Sequence, residues 1–307
     1  MRLRSSAGFL AGAAAVALLA ACSSSAADET AASTSKAGVQ VVASTNVYGD
    51  IVRQIAGDKA EVTSIISDPD QDPHSYEANA QTQLSLSKAK AKVVIENGGG
   101  YDDFVDTMLK SSGNTSAKVM NVVDISGHKA PAGGELNEHV WYDFPTVEKL
   151  AAQLASTLSE VDSANSSTYA ANAAAFTAKV KQLEATEASI KAAHDGAGAA
   201  ITEPVPLYLL TACGLVNKTP GEFSEAIEEG TDVPVAVLQE TLTLFSAKQV
   251  TLLAYNEQTS GPETEKVLAA AKANGIAVVP VTETLPDGKD YLGWMTANLD
   301  AIRSALA

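Results

Sequence analysis

The sequence is poor in positive charge: 21 lysines and arginines stand against 37 acids in 307 residues, for a formal net charge of −16. Such a surface repels nucleic acid and argues against a basic membrane-binding face. Several catalytic signatures are also missing. There is no Gly-x-Ser-x-Gly elbow, no Gly-x-x-x-x-Gly-Lys phosphate loop and no Gly-x-Gly-x-x-Gly fingerprint. His74-x-x-Glu77 lacks the second histidine of a zinc-protease helix, and "ENGGGYDD" reads as a tight turn after a strand. The chain is therefore not expected to be an enzyme. Cysteine is as scarce as tryptophan, with only Cys22 and Cys213 present.

What is present begins at the first residue. "MRLRSSAGFLAGAAAVALLAACSSS" pairs a basic start (Arg2, Arg4) with an apolar run ending at Cys22, the pattern of a secretory signal peptide over 1–21. The run from Ala7 to Ala21 falls short of the roughly 20 residues that cross a bilayer. Its end resembles a bacterial lipobox, which implies a diacylglyceride on Cys22 and a mature protein lipid-anchored on the extracytoplasmic face of the cell membrane. Loss of Arg2 and Arg4 takes the net charge from −16 to −18. With Cys22 occupied, Cys213 has no partner for an intramolecular disulfide and reads as a small buried apolar residue. Residues 22–38 are small, polar and aperiodic, predicting a disordered tether. About 270 residues then fold by burial alone, enough for two lobes of ordinary domain size.

Short β-branched runs alternate with helical patterns. "VQVVAST" leads into "VYGDIVRQIAG", "AEVTSIIS" into a proline-rich loop, the helical "TQLSLSKAKA" into "KVVIENG", and that into the helical "YDDFVDTMLKSS". The same grammar restarts with "QVTLLAYN", "ETEKVLAAAKANG", "IAVVPVT" and "YLGWMTANLDAIRSAL". This predicts an α/β fold of two lobes, each with a mainly parallel sheet flanked by helices, at 39–164 and 197–307. Between them, over 165–196, Tyr169, Phe176, Val180, Leu183 and Ile190 advance by sevens, fours and threes. That is one long amphipathic helix, with serines as candidate caps at its start and Asp195-Gly196 as its stop. About 28 residues at about 1.5 Å each reach roughly 42 Å, long enough to serve both lobes as a strut.

Two of the four histidines have unusual settings. "ISDPDQDPHSYEANAQ" places His74 in a loop stiffened by Pro69 and Pro73, beyond a strand, where parallel sheets bind ligands. His139 in "NEHVWYDFPT" follows a Gly- and Pro-rich loop. Both suit metal ligation, since neutral imidazole is the commonest transition-metal donor, and each taken singly could equally be a surface histidine. His194 ends the long helix, where the dipole favours a cation, and His128 sits in a loop; neither is included in the site.

"DPHSYE", "VVIENGGGYDDFV", "NEHVWYD", "TEPVPLYLLTACGL" and "GIAVVPVTETLPDGKDYLGWMTANLDAIRSAL" together resemble the metal-binding subunits of bacterial manganese and zinc ABC importers, the helix-backbone class of solute-binding proteins. The resemblance runs from about Val39 to Leu306. It implies one Mn2+ or Zn2+ ion held between the lobes by two ligands from each, a permease and an ATPase as membrane partners, and a monomer. His74 and His139 match the first two ligands. The third is His or Glu eleven residues before a Gly-Leu turn, which here is Glu203 before Gly214. The fourth is an acid after the last strand, commonly in Leu-Asp-Pro; this chain reads Val281-Thr282-Glu283-Thr284, making Glu283 the substitute, with Asp232 or Glu257 able to replace it. Since manganese-type relatives resemble one another in using glutamate at the third position, the resemblance leans to manganese.

The residues themselves are consistent with this. Glu203 and Glu283 both follow apolar strands, although glutamates at loop starts are often merely exposed. Two carboxylates and two imidazoles neutralise a divalent ion with mixed O and N donors. Tyr76 and Trp141 could wall the site or simply pack in the core, and Asn97, Asn256 and Gln258 are candidate rim hydrogen-bonders at strand ends. Other functions fitting the fold are a surface adhesion lipoprotein, marked by exposed apolar patches, and a siderophore or haem binder, which needs a wider, basic cleft. A lipid-anchored metallohydrolase would need an open coordination position.

Overall fold

A computed structural model of the chain describes residues 38–68, 71, 73–74, 76–78, 82–83, 91–132 and 134–307. The expected signal peptide, Cys22, the tether and most of the helix read in "TQLSLSKAKA" lie outside the described residues. No helix among the described residues is long and apolar enough to cross a membrane.

Two four-stranded parallel sheets form the frame. The first comprises β1 (Val39–Thr45), β2 (Ala60–Ile66), β3 (Val93–Glu96) and β4 (Lys118–Asn121), in the order β2-β1-β3-β4. The second comprises β5 (Gly198–Ile201), β6 (Val216–Asn217), β7 (Leu252–Asn256) and β8 (Ala277–Val281), in the matching order β6-β5-β7-β8. Central parallel strands are covered on both faces, and so they read as continuous apolar runs. Accordingly Val41 to Thr45 and Leu252 to Asn256 are buried throughout. Edge strand β2 instead alternates more exposed and more buried residues along "AEVTS".

In each sheet the chain moves to one side after the first strand and to the other after the second. That leaves a crevice beyond the carboxyl ends of β1 and β3 and another beyond those of β5 and β7, the topological switch points where open α/β sheets bind ligands. Each crevice carries an asparagine at the end of its second central strand: Asn97 directly after β3 and Asn256 as the last residue of β7.

The long helix spans Ser166–His194. Its buried positions, Tyr169, Ala173, Phe176, Val180, Leu183, Glu187 and Ile190, advance alternately by four and three, one narrow seam facing inward. It packs against the helices Asn46–Ala56 and Phe144–Val161 on one side and Leu207–Ala212 and Tyr291–Ala305 on the other, so one apolar cluster runs through both lobes. Asn172 Nδ2 donates to the Ile55 carbonyl at 3.0 Å, and the Phe176 and Tyr291 rings lie 6.1 Å apart. The serines do not cap this helix. A short 3-10 turn (Ser163–Asn165) delivers the chain to Asn165, whose side chain donates to Asp162 at 2.6 Å, and Ser166 and Ser167 are already helical. Gly196, at φ +82°, takes the left-handed conformation that ends the helix.

Hydrogen bonds between the lobes converge on the segment after β8. Asn46 Nδ2 donates to the Leu285 carbonyl and Leu285 N donates to Asn46 Oδ1, each at 2.9 Å. Tyr142 Oη donates to the Thr282 carbonyl at 2.8 Å, Tyr291 Oη to the Trp141 carbonyl at 2.7 Å, and Tyr291 N to Asp50 at 2.8 Å.

Candidate metal centre

Five loops meet at the carboxyl ends of the two sheets. His74 arrives on the β2–β3 connection, just after Pro73, whose carbonyl accepts from Tyr76 N at 3.3 Å. His139 precedes a 3-10 turn (Val140–Tyr142) that is held in place because the next residue, Asp143, caps the helix Phe144–Val161 by accepting from Thr146 N at 3.2 Å. Glu203 follows β5 and Glu283 follows β8. The fifth loop, after β3, turns through Gly98 at φ +77°, where a Cβ would meet the Asn121 side chain. Asp102 closes that turn by accepting from Asn97 N at 2.6 Å and Gly98 N at 2.8 Å.

One possible ligand atom each from His74, His139 and Glu283 lie within 4.8 Å of one another. His74 Nε2 is 3.8 Å from a Glu283 oxygen, and the two imidazole rings are 6.1 Å apart. A second set, His74 with Glu138 and Glu228, meets the same 4.8 Å limit. Glu203 is in neither set. Its Oε2 accepts from Asn256 Nδ2 at 2.5 Å and from the Thr259 hydroxyl, while the same Asn256 amide donates to Glu283 at 2.9 Å. One asparagine at the second switch point therefore ties the two buried glutamates together, through charge-assisted bonds. Asp232 lines the cleft outside these sets, and Glu257 is exposed beyond β7.

The state of His139 follows from its neighbours. Its side chain is fully buried, and Asn137 Oδ1 lies 2.8 Å from its Nδ1 and 3.0 Å from its backbone N. The Asn137 amide is oriented on both sides, because its Nδ2 donates to the Pro204 carbonyl at 3.1 Å while Oδ1 accepts the His139 backbone N–H. The atom facing Nδ1 is thus an acceptor, so Nδ1 carries the proton and Nε2 keeps its lone pair. Nε2 has no hydrogen-bond partner among the described residues and points at Glu228 Oε1, 3.6 Å away. Burial, with a smaller contribution from His74, holds the His139 pKa well below the usual histidine range, so the ring is neutral at pH 7 and ready to donate.

The carboxylates show the opposite strain. Burial pushes Glu228 up to about 9, helped by Glu138, Glu203, Glu283 and Glu135, and burial pushes Glu138 up to about 7. Acids crowded in a dry site with no facing cation can relieve their repulsion by binding protons or a divalent ion.

Around the ligands, Tyr101 stands edge-on to His74 with ring centroids 5.0 Å apart, and Trp141 edge-on to His139 at 5.1 Å. Tyr76 is turned elsewhere, against Phe104 at 4.6 Å. Asn97 Nδ2 donates to the Glu138 carbonyl at 3.0 Å, steadying the residue before His139. Gln258 Oε1 accepts from Glu283 N at 2.5 Å and its Nε2 donates to the Thr284 hydroxyl at 2.8 Å, fixing the loop that presents Glu283. His128 lies apart, 3.0 Å from Asp143 and stacked on Tyr208, and Cys213 is fully buried. Glu138, Glu228, Asn137 and Tyr101 lie outside the expected set of site residues. Of these only Glu138 and Asn137 had a signal, their adjacency to His139 in "NEHVW".

The sites open to a cleft of about 1130 Å³ whose lining includes His74, Glu135, Glu138, Glu228, Glu229 and Asp232. No lysine or arginine is among its described lining residues.

The chain matches relatives along nearly its whole length. It is 28% identical to the manganese ABC transporter substrate-binding lipoprotein scaA of Streptococcus gordonii, over 94% of each chain. It is 26% identical to the iron ABC transporter substrate-binding lipoprotein MtsA of Streptococcus pyogenes, again over 94% of each. Among solved structures, that of the solute-binding protein FpvC from Pseudomonas aeruginosa in complex with Mn2+ superposes with a TM-score of 0.71 at 22% identity, covering 87% of this chain and 98% of that one. Residues 41–305 match the family model described as ZnuA, zinc-uptake complex component A, periplasmic. From β1 to the last helix, then, the chain belongs to the periplasmic zinc-uptake complex component A family.

Proposed function

We propose that this protein captures a divalent transition metal ion outside the cytoplasmic membrane and delivers it to the permease and ATPase of an ABC importer, tethered to the membrane by a lipid on Cys22. The observation that carries the reading is the meeting of two imidazoles and a buried carboxylate, from both lobes, within 4.8 Å. His74, His139 and Glu283 hold the ion, and Glu203 completes the set by a small shift of a carboxylate that Asn256 already holds beside Glu283. Names of relatives as ABC transporter lipoproteins support the partners and the anchor.

Two N and two O donors suit manganese and zinc alike, and the Irving-Williams order makes zinc the tighter of the two in such a site. The relative of highest identity quoted above is named for manganese, which together with glutamate at position 203 favours manganese as the cargo. Adhesion is not favoured, because the exposed large apolar residues among those described are three separated valines, Val119, Val216 and Val235. A cleft without a described basic lining residue does not suit an anionic siderophore or haem. Metal analysis of protein purified without chelator, followed by competition between Mn2+ and Zn2+, tests the reading: about one ion per chain is expected, and a metal-free protein that takes up neither ion refutes it.

A further inference from the structure

The two ligand sets share His74 and lie at different depths. Side-chain exposure in the set His74, Glu138, Glu228 is 24%, 13% and 16%, whereas His139 and Glu283 are at 0% and 3%. All three residues of the first set line the cleft, and His139 and Glu283 do not. Where the sets adjoin, the fully buried Nε2 of His139 has no hydrogen-bond partner among the described residues and faces Glu228 Oε1 across 3.6 Å. A lone pair so placed points at whatever Glu228 holds.

We propose that His74, Glu138 and Glu228 form an outer capture station, which takes the ion from solvent and passes it to the inner station of His74, His139 and Glu283. The inference rests on the metal-capture reading above and adds a route to it. His74 stays bound throughout. Two carboxylate bonds, to Glu138 and Glu228, break as one imidazole bond to His139 and one carboxylate bond to Glu283 form, and the ion's charge does not change. The oxygen-rich outer set accepts an ion that still carries waters; at the inner station Glu203 adds a fourth protein donor, and the water it displaces returns to the cleft. Each station draws on both lobes, with Glu138 from the first and Glu228 and Glu283 from the second, so the transfer needs no separation of the lobes.

Cobalt(II) is the probe, since its visible absorption strengthens when it passes from a six-coordinate, oxygen-rich site to a four-coordinate one with nitrogen ligands. Rapid mixing of Co2+ with the metal-free full chain should give two phases, a fast weak one and a slower intense one. His139→Ala should stop at the first phase. The double variant Glu138→Gln, Glu228→Gln should lose the fast phase and load about tenfold more slowly. The cleft control Glu225→Gln, Glu229→Gln should keep both phases, which separates ligation from general attraction by negative charge. A fast phase that survives in Glu138→Gln, Glu228→Gln overturns the outer station while leaving capture itself intact. So does a wild type that loads in one phase. A wild type that takes up no Co2+ overturns capture and station together. Unchanged circular dichroism of each isosteric variant guards against misfolding.

Discussion

Asn137 Oδ1 lies 2.8 Å from Nδ1 of His139, and the same side chain reaches the opposite lobe through the Pro204 carbonyl at 3.1 Å. A single amide thus fixes the tautomer of one candidate ligand and fastens its loop to the segment that carries Glu203. Hydrogen bonds of this kind to a ligating histidine are worth about 10- to 100-fold in metal affinity. Asn137→Ala should weaken Zn2+ or Mn2+ binding by that factor in calorimetry. Asn137→Asp keeps an acceptor for Nδ1 and should recover most of the loss; equal weakening by both substitutions would mean that the cross-lobe bond, rather than the tautomer, sets the affinity.

The two buried glutamates should not weigh equally. Glu283 already stands in a ligand set with both histidines, while Glu203 is held aside by Asn256 and Thr259. Glu283→Ala should therefore lower affinity at least about 100-fold and Glu203→Ala, whose carboxylate must first leave its bonds to Asn256 and Thr259, about tenfold. Glu203→His should widen the preference for zinc over manganese in competition titrations, because nitrogen replaces a harder oxygen. An unchanged ratio would remove Glu203 from the coordination of the ion.

Much of this arrangement was legible in the sequence, and the illegible part has a definite cause. β1 matches its reading residue for residue, because a strand buried on both faces is a run of apolar residues with no other use. His74, His139 and Glu283 were singled out by the family resemblance, with their places after a stiff loop or a strand consistent with it, and the structure brings the three together. Glu228 was not singled out. It ends a helix, Gly221–Glu228, in the run "SEAIEEG", where nothing local separates it from exposed Glu229. Its place 3.6 Å from His139, across the lobes, is a long-range fact that no spacing encodes. The helix Phe144–Val161 carries no separate expectation within the first lobe, although Val147, Leu150, Ala151, Leu154 and Leu158 form its buried stripe.

Protonation should couple to both stability and binding. Glu138 and Glu228 titrate near 7 and 9 in the fold, against roughly 4.3 for an unperturbed glutamate, and Glu187, buried in the seam of the long helix, is pushed up to about 8. A carboxyl raised on folding stabilises the fold fully below its unfolded value, and that contribution is lost as pH rises through the folded value. The metal-free protein should therefore lose melting temperature steadily from about pH 5 to pH 9. The charge of an ion held at the inner station weakens proton binding by the neighbouring Glu138 and Glu228, so affinity should rise with pH between about 6 and 8. Calorimetry in buffers of different ionisation enthalpy reads the released protons; none released at pH 7 would contradict this assignment.

Glu187 offers a separate check, remote from the ligands. Its Oε1 has no hydrogen-bond partner among the described residues, and burial followed by Glu184 and Asp143 raises its pKa. Glu187→Gln removes the charge that must form above pH 8. It should raise the melting temperature at pH 9 by a few degrees, about 1 kcal/mol for a fold of this size, and change it little at pH 5. Equal effects at the two pH values would assign the change to packing.

The central claim is that one divalent ion binds between the lobes through His74 and His139. An ion that binds only the folded state raises the melting temperature by mass action. The most direct measurement is the melting temperature of metal-free protein with and without a saturating divalent ion, for the wild type and for His74→Ala combined with His139→Ala. A rise of several degrees is expected in the wild type and none in the double variant. A double variant stabilised by metal as strongly as the wild type would place the ion elsewhere.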